Sequence, residues 1–125
     1  MITSTLVTST SITVPSKVFT STTTGAPVGG SVVGQTSAVT TMILCNTAAP
    51  SASDETTNAV SVNVYLVKSG GSYGTNNLVI SSLTVPAGET VFFSEERIVL
   101  DAGDEIWIGT STGSVLAITV STLPV

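Results

Sequence analysis

Ala59-Val60-Ser61-Val62-Asn63-Val64-Tyr65-Leu66-Val67-Lys68 decides the fold. Val60, Val62, Val64 and Leu66 fall on one side of a two-residue period, and Ser61, Asn63, Tyr65 and Val67 on the other. That is the pattern of a strand packed against a core on one face. Val115 to Leu123 repeats it, with Leu116, Ile118 and Val120 set against Ala117, Thr119 and Ser121. Ala38 to Asn46 is apolar on both sides: Val39, Thr41, Ile43 and Cys45 face one way, Met42 and Leu44 the other. This strand is expected to be covered on both faces.

Working outward, Leu78 to Val85 lies between Asn76-Asn77 and Pro86-Ala87-Gly88, which supply turn chemistry. Thr90 to Leu100 starts and ends apolar but is polar at Ser94-Glu95-Glu96-Arg97, so a bulge or corner is expected there. Glu105 to Thr110 follows the tight connection Asp101-Ala102-Gly103-Asp104. Two weaker strands precede the body, at Thr5 to Val14 and Lys17 to Thr20. Residues 21–37, with Gly25, Gly29, Gly30 and Gly34, read as a long loop. No window sustains helical spacing. The expected fold is therefore all-β: an antiparallel β-sandwich, jelly-roll-like, with an extended N-terminal arm. Residues 1–37 form the arm or edge strands and residues 38–125 the sandwich body. An up-and-down barrel would show the same periodicity.

Composition narrows function. The 125 residues include 22 Thr, 18 Ser, 18 Val and 8 Ile, which together exceed half the chain. Charged residues are 9%, against roughly 25% in an ordinary soluble domain, and there is no His and a single Cys. Without His, neither a His-based triad nor a His-ligated metal can be built. One Cys closes no internal disulfide. Three cations cannot neutralise a run of phosphates, so nucleic acid is not an expected partner. Residues 1–14 lack the basic start of a secretory signal, no apolar run approaches the roughly 18 residues of a spanning helix, and six aromatics cannot form two membrane girdles. Asp101, Asp104 and Glu105 lack a calcium-loop spacing, and Gly70-Gly71-Ser72-Tyr73-Gly74 lacks the Lys of a phosphate loop. No enzyme, cofactor or metal is expected.

What remains is contact. A Ser or Thr costs far less to bury than a Lys or Glu, so a hydroxyl-rich, charge-poor surface tolerates being dried against neighbours. Trp107, between Ile106 and Ile108, is expected to point outward and to anchor an interface, its replacement by Ala weakening assembly more than folding. Tyr65 joins it as an interface candidate, with Ile12, Val14 and Phe19 from the arm, where alternation around Ile12 and Val14 suits strand addition to a neighbour.

Met42-Ile43-Leu44-Cys45-Asn46-Thr47, Val62-Asn63-Val64-Tyr65-Leu66-Val67, Ser69-Gly70-Gly71-Ser72, Val85-Pro86-Ala87-Gly88-Glu89-Thr90 and Ile98-Val99-Leu100-Asp101-Ala102-Gly103-Asp104-Glu105-Ile106 follow one another in an order that resembles a family of small β-sandwich virion proteins of tailed bacteriophages, frequent in marine and cyanobacterial phages. The similarity covers about residues 38–125. It implies a structural component of the virion and no catalytic residues. The expected role is a capsid decoration or cement protein that binds phage structural proteins, such as the major capsid protein, and forms homo-oligomers. A tail, neck or fibre-base component is the alternative. A carbohydrate-binding module is a more remote one, and it would require an exposed platform built from Tyr65, Tyr73 and Trp107. A calcium-dependent hydrolase is the enzymatic alternative.

Overall fold

The computed structural model describes residues 2–21, 36–54, 56–94 and 98–124. Nine strands carry the fold: β1 Ile2–Leu6, β2 Ser16–Thr20, β3 Ser37–Asn46, β4 Val60–Val67, β5 Leu78–Val85, β6 Thr90–Phe93, β7 Ile98–Leu100, β8 Glu105–Thr110 and β9 Leu116–Pro124. One 3-10 turn, Thr75–Asn77, is the only helical element among the described residues.

All pairings are antiparallel, and they nest. β4 pairs with β5, β3 with β6 and β7, β2 with β8, and β1 with β9, as if the chain were one long hairpin. The hairpin then rolls up, laying β9 against β3 and β8 against β4. Two sheets result, ordered β1-β9-β3-β6 (with β7 also on β3) and β2-β8-β4-β5. This nested, rolled order is a jelly roll. The expected antiparallel sandwich holds.

The inward residues of both sheets form one core. Val62, Val64, Ile106, Ile108, Leu44 and Leu116 are wholly buried, each contributing about 1.5–3 kcal/mol by leaving water. Asn46, also fully buried, ties the two sheets: its Nδ2 donates to the Asn58 and Val85 carbonyls, both at 2.9 Å, and its Oδ1 accepts from the Ala48 N–H at 3.0 Å. Its amide is thus satisfied at every donor, which makes a buried polar group affordable.

One open expectation is decided and two change. Of the two forms expected for the N-terminal stretch, an arm or edge strands, residues 2–20 take the second and do not stand off. They supply the outer strand of each sheet and bury Val7, Val18 and Phe19. The strand expected from Thr5 to Val14 ends at Leu6, because hydroxyls compete for the backbone. Ser9 Oγ lies 2.8 Å from both the Ser11 and the Val14 carbonyl, sharing its one proton between them, and folds the segment into a turn. In β3, Val39 lies inward with Met42 and not outward with Thr41. The register against β9 shifts between Val39 and Thr41, leaving Thr40 as an extra residue that reverses the alternation. The expected interruption near Ser94 matches the break between β6 and β7. The expected loop 21–37 falls almost entirely on residues 22–35, and Glu95, Glu96 and Arg97 also lie outside the described residues.

Candidate functional site

Each sheet has an outer face, and the chain treats the two differently. The outer face of the β2-β8-β4-β5 sheet is roofed by the chain's own loops. The turn around Ile12 crosses it close to the backbone: the Ile12 carbonyl accepts from Tyr65 Oη at 3.0 Å and from Asn63 Nδ2 at 3.2 Å. Asn63 Oδ1 in turn accepts from the Ser82 N–H at 2.7 Å, at a β5 residue with φ of 55°. Gly109 permits this approach, since a Cβ there would collide with the Ile12 carbonyl. Thr110 Oγ1 secures the same loop by donating to the Ser9 carbonyl at 2.6 Å.

The second part of the roof is the loop at 68–77. Val67 points outward yet is 2% exposed, because this loop covers it. Tyr73 reaches back from the loop to lie between Tyr65 and Trp107, with ring centroids 6.0 Å and 5.4 Å away and planes inclined by 60° and 44°. Trp107 Nε1 donates to Glu105 Oε1 at 3.1 Å, and Lys17 Nζ pairs with Glu105 Oε2 at 3.2 Å. These polar groups are occupied within the chain. The mutually tilted rings and the buried Tyr65 do not make a flat sugar platform.

The expected interface residues therefore separate. Trp107 does point outward, as the buried Ile106 and Ile108 require, but it is half-buried beneath Tyr73. Tyr65 is buried under the roof, and Ile12 contributes its carbonyl to that roof while its side chain is half-exposed. Val14 is exposed. Phe19 is 4% exposed and belongs to the core: the β2 register shifts between Lys17 and Phe19, so Val18 and Phe19 are both turned inward. The arrangement brings Trp107, Tyr65 and Ile12 to one face and sends Phe19 to the interior.

The outer face of the β1-β9-β3-β6 sheet is bare among the described residues. Cross-strand register sets its rows: Leu6, Ala117, Cys45 and Thr90 form one, and Ser4, Thr119, Ile43 and Phe92 the next. Ile2, Ser121 and Thr41 follow, and Leu123, Ala38 and Val99 close the face. None of these residues is charged. Among the described residues, five of the eight exposed large apolar side chains lie here: Ile2, Leu6, Phe92, Val99 and Leu123. This uncharged face thus gathers exposed apolar side chains, mostly on its outer strands, with hydroxyl side chains among them, and does not show them singly as an ordinary surface does. Sequence reading missed this face, although the signal was present in β3. Its outward Ile43 and Cys45 gave the expectation of cover on both sides, and the described chain covers only one.

Elsewhere, an apolar cleft of about 340 Å³ opens between the sheets beside Met42, Leu66, Val79 and Phe93. Asp54, in the β3–β4 connection, accepts from the Thr56 N–H and from the Thr56 and Thr57 hydroxyls, which hold its carboxyl below the ordinary 3.8. It staples its own loop. Asp104, one of the acids weighed for calcium, accepts from the Ser69 and Asp101 N–H groups. Among the described residues no three carboxylates or thiols gather as a metal would require. Comparison with protein-family models finds no match for this chain, and no curated protein compared with it matches either.

Proposed function

We propose that this protein is a non-enzymatic structural component of a phage virion, a decoration or cement protein that docks on the particle's shell through the uncharged outer face of its β1-β9-β3-β6 sheet. The observation that carries the reading is that face: rows of apolar and hydroxyl side chains that include no charged residue among those described, with Phe92 63% exposed on the outer strand β6. A face of this chemistry loses little on desolvation and gains apolar burial when a neighbour covers it. The order of motifs along residues 38–125, which resembles small phage β-sandwich proteins, supports the same assignment.

The test is location and salt response together. In an image of the intact particle, the sandwich should lie with this sheet against the shell protein. Its release should be nearly indifferent to NaCl, because screening acts on exposed charge pairs and leaves apolar burial and strand hydrogen bonds largely intact. Release at moderately raised salt would shift the contact to the acidic stretch between Glu89 and Glu105. A particle lacking the protein altogether would end the virion assignment.

A further inference from the structure

Four strand edges border the two sheets, and three of them carry features that discourage pairing with another chain. β2 bears Lys17 and a register shift between Lys17 and Phe19. β5 is disturbed at Ser82, whose φ is 55°, and its register against β4 shifts twice. The edge beyond β3 is divided between β6 and β7, of four and three residues. β1 has none of these features. Its five residues, Ile2-Thr3-Ser4-Thr5-Leu6, pair with β9 in unbroken register and include no charge, no Pro and no Gly.

The direction of its backbone groups follows from the ladder. Val7, next in the chain, donates its N–H to the Leu116 carbonyl at 2.8 Å and accepts from the Ser114 N–H at 2.9 Å, so its polar groups face the β9 side. In an antiparallel pair these directions alternate residue by residue. Thr3 and Thr5 therefore serve β9, and Ile2, Ser4 and Leu6 turn their N–H and C=O groups to the edge, which no strand among the described residues covers. The same three residues place their side chains on the bare outer face, where Ile2 is 71% and Leu6 47% exposed.

We propose that this edge binds a second copy of itself, with β1 antiparallel to β1 of the partner about a twofold axis at Ser4. Ser4 then exchanges both hydrogen bonds with its counterpart, and Ile2 does the same with Leu6 on the other copy. Ile2 and Leu6, the two exposed apolar side chains of the strand, become cross-strand neighbours in both halves. The segment is thus its own complement. A charged partner strand would find no charge on β1 to oppose, whereas a copy needs none. The two bare faces merge into one continuous sheet. This pairing is a property of the isolated chain and does not depend on what the face docks against.

Ser4→Pro isolates the claim. Proline on an edge strand is tolerated where the N–H faces away from the ladder, so pairing with β9 and the melting temperature should hold. The central bonds to the partner are lost and the ring obstructs its approach. Sedimentation should show the wild-type chain as a dimer and Ser4→Pro with a dissociation constant raised about tenfold or more, as loss of the two central hydrogen bonds implies. As a second readout, Ser4→Cys in a Cys45→Ala background should close an intermolecular disulfide under mild oxidation, because a hydrogen-bonded pair sits about 5.5 Å apart at Cα, within disulfide reach. A wild-type monomer at the same concentrations overturns the proposal. So does a dimer that survives Ser4→Pro with no Ser4→Cys cross-link. If that dimer instead dissociates on Phe92→Lys, assembly runs through the face, which refutes the edge pairing and leaves the docking function standing.

Discussion

The two outer faces of this sandwich are built by the same alternation, from strands of similar composition, and meet opposite fates. On the β2-β8-β4-β5 sheet the outward positions hold Asn63, Tyr65, Trp107 and Gly109, and two loops close over them with a connected set of hydrogen bonds. On the β1-β9-β3-β6 sheet they hold Ser4, Thr119, Ile43 and Phe92, and no described part of the chain covers them. A face that the chain roofs itself needs polar side chains of particular reach, because the loop backbone arriving there must be paired. A face meant for another molecule needs only to be cheap to dry. The difference separates residues that maintain the fold from residues available for contact, and substitutions on each side should behave accordingly.

The largest effect is expected at Gly109. Placing Ala there drives a Cβ into the Ile12 backbone, which is held in place by Tyr65, Asn63 and Ser9. Overpacking of this kind costs about 1–3 kcal/mol. A lowered denaturant midpoint with unchanged slope would show it. If Gly109→Ala melts like the wild type, the loop does not lie on the sheet and the contrast between the faces fails.

Trp107→Ala should come next, and it sharpens the same point. The outward direction of this side chain suggested an interface anchor, but its ring contacts Tyr73 and its N–H is held by Glu105. Removing it should destabilise by about 1–2 kcal/mol, part of an aromatic pair and one hydrogen bond. It should also loosen the loop that begins at Lys68. Trypsin cleavage after Lys68 would therefore accelerate in the variant. Unchanged cleavage and melting, combined with loss of particle attachment, would return Trp107 to the interface.

Much of this architecture was legible in the residues. The alternation in β4 and β9 was clear because their two faces differ in chemistry, and the tight connections at Asp101 and Pro86 were marked by turn residues. The bulges were not legible. Nothing local distinguishes Thr40 or Val18 from neighbouring β-branched and hydroxyl residues, yet each adds the extra residue that reverses the alternation. The N-terminal stretch misled for a related reason. Its Ser and Thr content resembles a loose arm, and only long-range contacts, the pairing of β1 with β9 and β2 with β8 and hydroxyl bonds such as Thr110 to Ser9, show that it is fastened down. The aromatic cluster joins residues from three separate segments, a proximity that spacing along the chain does not encode. The bare face was half visible: β3 announced two covered sides, but identifying the uncovered one required knowing where the loops went.

The smallest effect on folding, and the most telling for function, is expected at Phe92. This side chain is 63% exposed on β6, opposite Ile43, and contributes little to the core. Phe92→Thr keeps a residue suited to a strand, and Phe92→Lys places a charge at the β6 end of an uncharged row. Both should unfold within about 0.5 kcal/mol of the wild type, as surface substitutions away from special features do. If folding governed this position, the two would fall together with the stability of the sheet. If contact governs it, they part in a graded way. Phe92→Thr should attach to the particle more weakly by the loss of apolar area, and Phe92→Lys should fail to attach, because its ammonium would have to be dried without a partner. Raised salt should not rescue the Lys variant, since its defect is desolvation and not repulsion between exposed charges. Full attachment of a correctly folded Phe92→Lys would remove this face from the contact and leave the bare sheet without the role assigned to it.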